Sequence, residues 1–392
     1  MTNNSTPSHN DSVKIRSSAM TTTPLPGINF YSPVGINSGL GAAGRGYVSA
    51  FRAAGLAHQI IPVHELHTHQ PAIPFEFPTG PARYPIAVVH VNAYAGQQFL
   101  HFHKRSFERA KYRIGFWVWE LASVRKSWIP AFDLFDEIWV PSEFCRRAFA
   151  AHTEKPVTVI PHVVEVKPER RSTEESRARL GWDHSDVTFL YVFDASSSLQ
   201  RKNPDALLAA FLTEFQHEPS VRLVIKVTNL NVEKAFKTRL CALAAKHRNV
   251  EIISKNITIE ELDDLYNAAN CYVSPHRSEG FGLTIAESMA CGKPVIATNY
   301  GGSTNFVNPS VAYPLDFSLV EIQENHGPYT KGFVWAEPSV QHLCKLLRTI
   351  VEHPDEAKKI GEAAKRYIAE QLSPLAVGTM VRKRVSEIAS EL

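Results

Sequence analysis

At 392 residues, with 44% apolar and 10% aromatic side chains, the chain carries material for two cores rather than one. Lys plus Arg number 42 against 39 for Asp plus Glu, a surplus too small for the clustered basic face of a nucleic-acid binder. The five cysteines (Cys145, Cys241, Cys271, Cys291 and Cys344) form no Cys-x-x-Cys pair and have no zinc spacing with histidine, so no metal site is expected.

Residues 1–24 are rich in Ser, Thr and Asn and read as a disordered tail without the apolar stretch of a signal peptide. Short apolar runs then alternate with amphipathic stretches, the pattern of parallel strands covered by helices. In the first half the expected strands are 28–31, 59–62, 86–91, 113–119, 137–140 and 157–160. In the second they are 187–193, 221–227, 250–253, 271–274, 294–298 and 332–335. Helices are expected over 205–215, 259–268, 283–290, 354–371 and 374–392. The fold class is α/β, two doubly wound Rossmann-like domains facing across a cleft. The first domain takes 25–166 and a charge-dense linker takes 167–180; the second takes 181–372, and 373–392 is a last helix free to pack back on the first domain. Ligands of such sheets bind beyond the carboxyl ends of the strands, so function is sought in the loops there.

The most informative loop is Ser274-Pro-His-Arg-Ser-Glu-Gly-Phe-Gly-Leu-Thr-Ile-Ala-Glu287, continuing as Ser288-Met-Ala-Cys-Gly-Lys-Pro-Val295. Gly280 and Gly282 allow the backbone close to a ligand. The helix that follows offers unpaired N–H groups and partial positive charge, a seat for a diphosphate. Glu279 and Glu287 frame that seat, and each carboxylate can accept two hydrogen bonds from a vicinal diol of a sugar. A solvated glycine turn with two free acids would explain the glycines but not the whole context. A second loop, Asp194-Ala-Ser-Ser-Ser-Leu-Gln-Arg-Lys-Asn-Pro204, places Lys202 just before a helix that Asn203 would cap and Pro204 would open. A cation there would neutralise a leaving diphosphate.

The first of these segments resembles the signature of family-4 retaining glycosyltransferases (glycosyl transferases group 1) with the GT-B fold, in detail over residues 187–307 and more loosely before them. The resemblance implies that Glu279 binds hydroxyls of a donor sugar and Glu287 holds the nucleotide ribose. Phe281, Gly282, Leu283 and Thr284 would present backbone groups to sugar and diphosphate, and Lys202 would contact the phosphates. The second phosphate-binding cation of the family is replaced by Asp194 and the serines after it, leaving Arg201 or Lys226 as substitutes. The substrate would be a nucleotide-diphosphate sugar such as a GDP- or UDP-hexose, with no further cofactor. Transfer would run without Mg²⁺ or Mn²⁺, and there is no Asp-x-Asp motif to hold one.

In the first half, the loop Gly35-Ile-Asn-Ser-Gly-Leu-Gly-Ala-Ala-Gly44 is a weak glycine match by itself. No acid ends strand 59–62 to hold a dinucleotide ribose, which argues against a dehydrogenase. By the resemblance it faces the donor diphosphate across the cleft, with Gly39 and Gly41 closest. Strand 113–119 leads to Glu120 where many relatives carry a histidine. Among Trp117, Trp119 and Trp128 its pKa would rise by desolvation, fitting it to orient the acceptor or act as base, although a structural ion pair fits as well. The tryptophans themselves read as core. The stretch 97–113, with His101, His103, Lys104, Arg105, Arg109, Lys111 and Arg113, is a solvated helix face or, for a lipid-linked acceptor, a peripheral membrane contact.

The expected protein is thus a cytoplasmic hexosyltransferase, of mannosyl or rhamnosyl type by resemblance to bacterial surface-polysaccharide enzymes. A position at the inner membrane face is left open. Its partners are a nucleotide-sugar donor and a saccharide or lipid-linked acceptor. The alternatives are a nucleotide-sugar 2-epimerase of the same fold and a non-catalytic GT-B partner subunit.

Overall fold

In a computed structural model, the structure describes residues 1, 27–66 and 78–392. The expected tail lies outside the described residues. Strands β1 (Ile28–Ser32), β2 (His58–Pro62), β3 (Ile86–Val89), β4 (Tyr112–Phe116), β5 (Glu137–Val140) and β6 (Val157–Val159) form a parallel sheet ordered β2-β1-β3-β4-β5-β6. Strands β7 (Val187–Asp194), β8 (Val221–Thr228), β9 (Val250–Ile253), β10 (Cys271–Ser274), β11 (Val295–Thr298) and β12 (Tyr313–Leu315) form a second, ordered β12-β11-β10-β7-β8-β9. Nearly every inner-strand residue is buried, as a sheet covered on both faces requires. The architecture is therefore α/β with two doubly wound halves.

Helices α1 (Gly39–Ala53), α2 (Gly96–Phe107) and α3 (Glu143–Ala150) belong to the first half. Helices α4 (Thr173–Leu180), α5 (Leu199–Lys202), α6 (Pro204–Phe215), α7 (Lys234–Lys246), α8 (Ile259–Ala268), α9 (Leu283–Ala290), α10 (Val340–Glu352) and α11 (Pro354–Gln371) follow, then α12 (Pro374–Ser390). No helix among the described residues is long and apolar enough to cross a membrane. Helix α12 repeats valines at 377, 381 and 385, one per turn on one face. That face, with Ile388, joins the core formed by α1 and one side of the first sheet. The approach is close enough that a Cβ on Gly378 would collide with the Ala50 carbonyl.

Three expectations need correction. The segment 167–180 is not a bare linker, because it contains α4, which packs on α8. A capping box between Ser172 and Glu175 starts α4, and buried Arg177 holds the carbonyl oxygens of Asp183, Asp186 and Ala268. Residues 332–335 do not extend the parallel sheet. They enter β14 (Val334–Pro338), antiparallel to β13 (Phe317–Glu321) in a separate hairpin, while the sixth place in the sheet goes to β12. Strand β4 stops at Phe116, so Glu120 lies in the loop beyond it rather than at the strand end.

Candidate functional site

The strand order of the second sheet switches between the parallel neighbours β7 and β10, and the loops after these two strands open at the same point. After β10, the chain turns through Gly282 at φ +93, a left-handed conformation that costs other residues about 1–2 kcal/mol, and starts α9. Its first N–H groups face outward, as at any helix N-terminus. Gly280 lies against the first half, where a Cβ would collide with the Val118 side chain and the Trp119 carbonyl. The Gly280 carbonyl accepts from Ser142 Oγ at 2.7 Å, and Ser278 Oγ donates to the Glu120 carbonyl. The loop is thereby hydrogen-bonded to both α3 and the loop after β4.

After β7, the four-residue helix α5 is bracketed by Ser198 at φ +70 and Asn203 at φ +51. Two non-glycine residues in this region are costly, and such strain concentrates where side-chain aim matters. Pro204 opens α6 as expected, but Asn203 makes no capping bond, because its left-handed backbone turns the amide toward Glu337 at 3.5 Å. The result is that Arg201 and Lys202 both point at Glu279. Arg201 Nη1 lies 3.1 Å from Glu279 Oε1, and Lys202 Nζ donates to the same oxygen. Arg201 also donates to the carbonyls of Ser278 at 2.9 Å and Ser197 at 3.1 Å, and Nη2 lies 3.9 Å from Glu120 Oε1.

Burial alone would raise the Glu279 pKa; the Lys202 and Arg201 charges outweigh it and hold the carboxyl down to about 2. At Glu120 burial, joined by the charge of Glu279, outweighs the lowering effects of Arg201, Lys202 and Tyr329, and the pKa is raised. Lys202 is lowered by burial, with Glu279 opposing.

Glu287 lies within α9, apart from this cluster, and accepts from the Tyr266 hydroxyl at 3.2 Å. Burial raises its pKa to about 7 against the lowering effects of Tyr266 and Lys167. Phe281 is buried against the rings of His162 and Phe306, and Thr284 Oγ1 sits 2.8 Å from the Tyr272 hydroxyl. Leu283 is half-buried at the start of α9.

Other expected residues fall elsewhere. Lys226 is buried on β8, where its ammonium donates to the Val227 carbonyl at 3.3 Å; no ion pair joins it to Glu279 among the described residues. Gly39 and Gly41 are not in the loop but in the first turn of α1, because Ser38 caps the helix through the Gly41 N–H at 3.1 Å. A Cβ on Gly41 would strike the Ile36 and Pro33 carbonyls, whereas Gly39 is exposed with open space around it. Trp117, Trp119 and Trp128 are core residues.

Sequence reasoning missed three buried histidines and one tyrosine. His276, inside the quoted motif, lies 3.0 Å from Ser274 Oγ and 3.1 Å from the Tyr300 carbonyl; burial lowers its pKa to about 4. His162 bonds the Tyr47 hydroxyl at 2.8 Å, and burial lowers it to about 3. His90 bonds Ser32 Oγ at 3.0 Å. The position of His90 directly after β3 and of His162 three residues beyond β6 was the available signal. Tyr329 arrives from the hairpin, and its hydroxyl favours the ionised form of the Glu120 carboxyl.

Comparison with known proteins places the fold and the family. The chain is 34% identical over 164 residues to a D-inositol 3-phosphate glycosyltransferase of Nocardiopsis dassonvillei, covering 40% of this chain and 37% of that protein. It is 30% identical over 161 residues to the lipopolysaccharide core biosynthesis mannosyltransferase LpsB of Rhizobium meliloti, covering 40% and 45% respectively. These matches span about a third to a half of the curated relatives' length. The fold superposes on Anabaena HepE, solved with UDP and glucose, with a TM-score of 0.67 at 17% identity over 92% of this chain and all of that one. This is the GT-B fold. The model of the glycosyl transferases group 1 family matches residues 172–367, half of the chain, and the protein belongs to that family.

Proposed function

We propose that this protein transfers a hexosyl unit from a nucleotide-diphosphate sugar to a saccharide or lipid-linked saccharide, with retention at the anomeric carbon and without a divalent metal. The observation that carries this reading is the convergence of Arg201 and Lys202 on Glu279 beside the N-terminus of α9. On donor binding, the diphosphate displaces Glu279 from the two cations and lies against the α9 N–H groups. Glu279 then accepts from hydroxyls of the sugar, and Glu287 accepts from the ribose diol. The bond from the anomeric carbon to the diphosphate oxygen breaks as a bond from the acceptor hydroxyl forms. Glu120, its pKa raised by burial, orients that hydroxyl and takes its proton.

The sugar and acceptor are drawn from the kinds of molecule named for the relatives, with a mannosyl or rhamnosyl unit favoured. A lipid-linked acceptor is supported by the exposed Phe102 on α2, with Arg105 one turn on along the same face, an aromatic and basic pairing suited to anionic membranes. The test is calorimetric titration with UDP, GDP, ADP and dTDP, followed by transfer assays with the sugar esters of the nucleotide that binds. Binding of one nucleoside diphosphate that Glu287→Ala weakens at least about tenfold supports the reading. Binding of none of them removes it.

A further inference from the structure

The hairpin of β13 and β14 spans both halves of the molecule. Its base is fixed to the donor loop: the Ala336 N–H donates to the Arg277 carbonyl at 2.9 Å, and Arg277 Nε donates to Glu337 at 2.7 Å. Between the strands the chain runs out to a tight turn at Gly327, φ +59, and Pro328, closed by paired bonds between His326 and Tyr329. Ile322, Tyr329 and Trp335 leave the second half's core altogether and join the cluster of Trp119, Leu121 and Trp128 in the first. Tyr329 stacks on Trp119 with centroids 5.5 Å apart and an interplanar angle of 13°. On its other side the Arg201 guanidinium carbon lies 5.6 Å from the ring centroid.

Tyr329 therefore touches both residues that approach the reacting bond from opposite halves. Its ring stacks on Trp119, the neighbour of Glu120, its ring face meets Arg201, and its hydroxyl favours the ionised form of the Glu120 carboxyl. A stacked ring held at 5% exposure has little freedom, so the hydroxyl is fixed with it. Glu120 is otherwise a loop residue, with no secondary structure of its own to aim it.

We propose that Tyr329 is a positioning residue for the transfer, holding the Glu120 carboxylate and the Arg201 guanidinium in register from a hairpin that bridges the two halves. This rests on the glycosyl-transfer reading above. The charged and titratable groups around Glu120 are Arg201 and Lys202 on α5, Glu279 on the donor loop, Tyr94 after β3, Cys145 on α3 and Tyr329 itself. Deleting the Tyr329 hydroxyl changes neither a charge nor the ring packing. That hydroxyl favours the ionised carboxylate, so its loss moves the Glu120 pKa upward.

The experiment is Tyr329→Phe, with kcat, donor KM and the kcat–pH profile measured beside wild type, and the same change made in Glu120→Gln. Removing this polar contact with a charged group predicts a loss of about tenfold or more in kcat, donor KM within about twofold, and an acid limb moved to higher pH. In Glu120→Gln, the further change to Phe should cost less than about twofold. Ile322→Ala loosens the same hairpin without reaching Glu120; it should lower Tm and leave the acid limb in place. A Phe variant with wild-type kcat and profile overturns the role of Tyr329, as does an equal shift of the limb in Ile322→Ala. Wild-type protein that releases no nucleotide from any donor instead overturns the transfer reading beneath it.

Discussion

Lys202→Ala separates a phosphate-binding cation from a charge that merely flanks a helix. In the free protein Lys202 shares Glu279 with Arg201, which lies 3.1 Å away. Deleting one cation therefore does not orphan the carboxylate. The folding cost should fall well below the 3–5 kcal/mol of a broken lone buried pair, at about 1–2 kcal/mol. Turnover should suffer more, because the ammonium interacts most strongly as charge builds on the leaving oxygen. Loss of such a preorganised group costs about 10²–10³ in kcat, roughly 2.7–4 kcal/mol. The same deletion has a signature in acid. Glu279, held at about 2, contributes stability that is present above its unfolded value and lost as pH falls through its folded one. With one cation gone the folded pKa rises, and acid unfolding should begin at higher pH. Nucleotide release gives kcat, and circular dichroism against pH gives the unfolding midpoint. A kcat within about threefold of wild type, under 1 kcal/mol of barrier, would refute the role of Lys202.

Nucleotide affinity should depend on Glu287, whose pKa is raised to about 7: the diol needs the ionised form, so affinity should fall as pH drops below about 7. A flat affinity between pH 5.5 and 8, measured by calorimetry, would exclude the contact. The raised pKa also means that this group favours folding less as pH climbs from its unfolded value toward about 7, so Glu287→Gln should lose less stability than wild type over that interval in denaturant melts. Activity should survive EDTA, since Arg201, Lys202 and the α9 N–H groups carry the leaving charge; full loss restored by Mn²⁺ would contradict this. Gly280→Ala should reduce turnover and lower Tm, because its Cβ meets the Trp119 carbonyl and the Val118 side chain. An alanine variant as stable and active as wild type would show that this approach is not needed.

The donor loop was legible because its grammar is local: a strand, a glycine turn and a helix follow one another within 271–290, and their bounds match the structure. The strands β5, β9 and β10 were readable for the same reason. Helix α4 was missed although Ser172 and Glu175 carry the capping-box spacing, because its eight residues bury little apolar surface and it is held by Arg177 instead. Strand β12 escaped because three residues containing Pro314 give no periodicity. Residues 332–335 look like any apolar strand, and nothing local says that β14 pairs backward with β13. The site followed the same division. Lys202 and Glu279 could each be placed beside a helix start, but that Arg201 joins them, that Lys226 does not, and that Tyr329 reaches Glu120 depend on contacts between distant segments.

The central claim is that Arg201, Lys202, Glu279 and Glu287 hold a nucleotide sugar for transfer of its glycosyl unit. Proton NMR of the enzyme turning over a donor, with water or a simple glycoside as acceptor in D₂O, tests it most directly. Retaining transfer releases nucleoside diphosphate and gives first appearance of the sugar in the donor's own anomeric configuration, with hydrogen at carbon 2 retained. Inverted product, deuterium at carbon 2, or no release from any nucleotide sugar would contradict it.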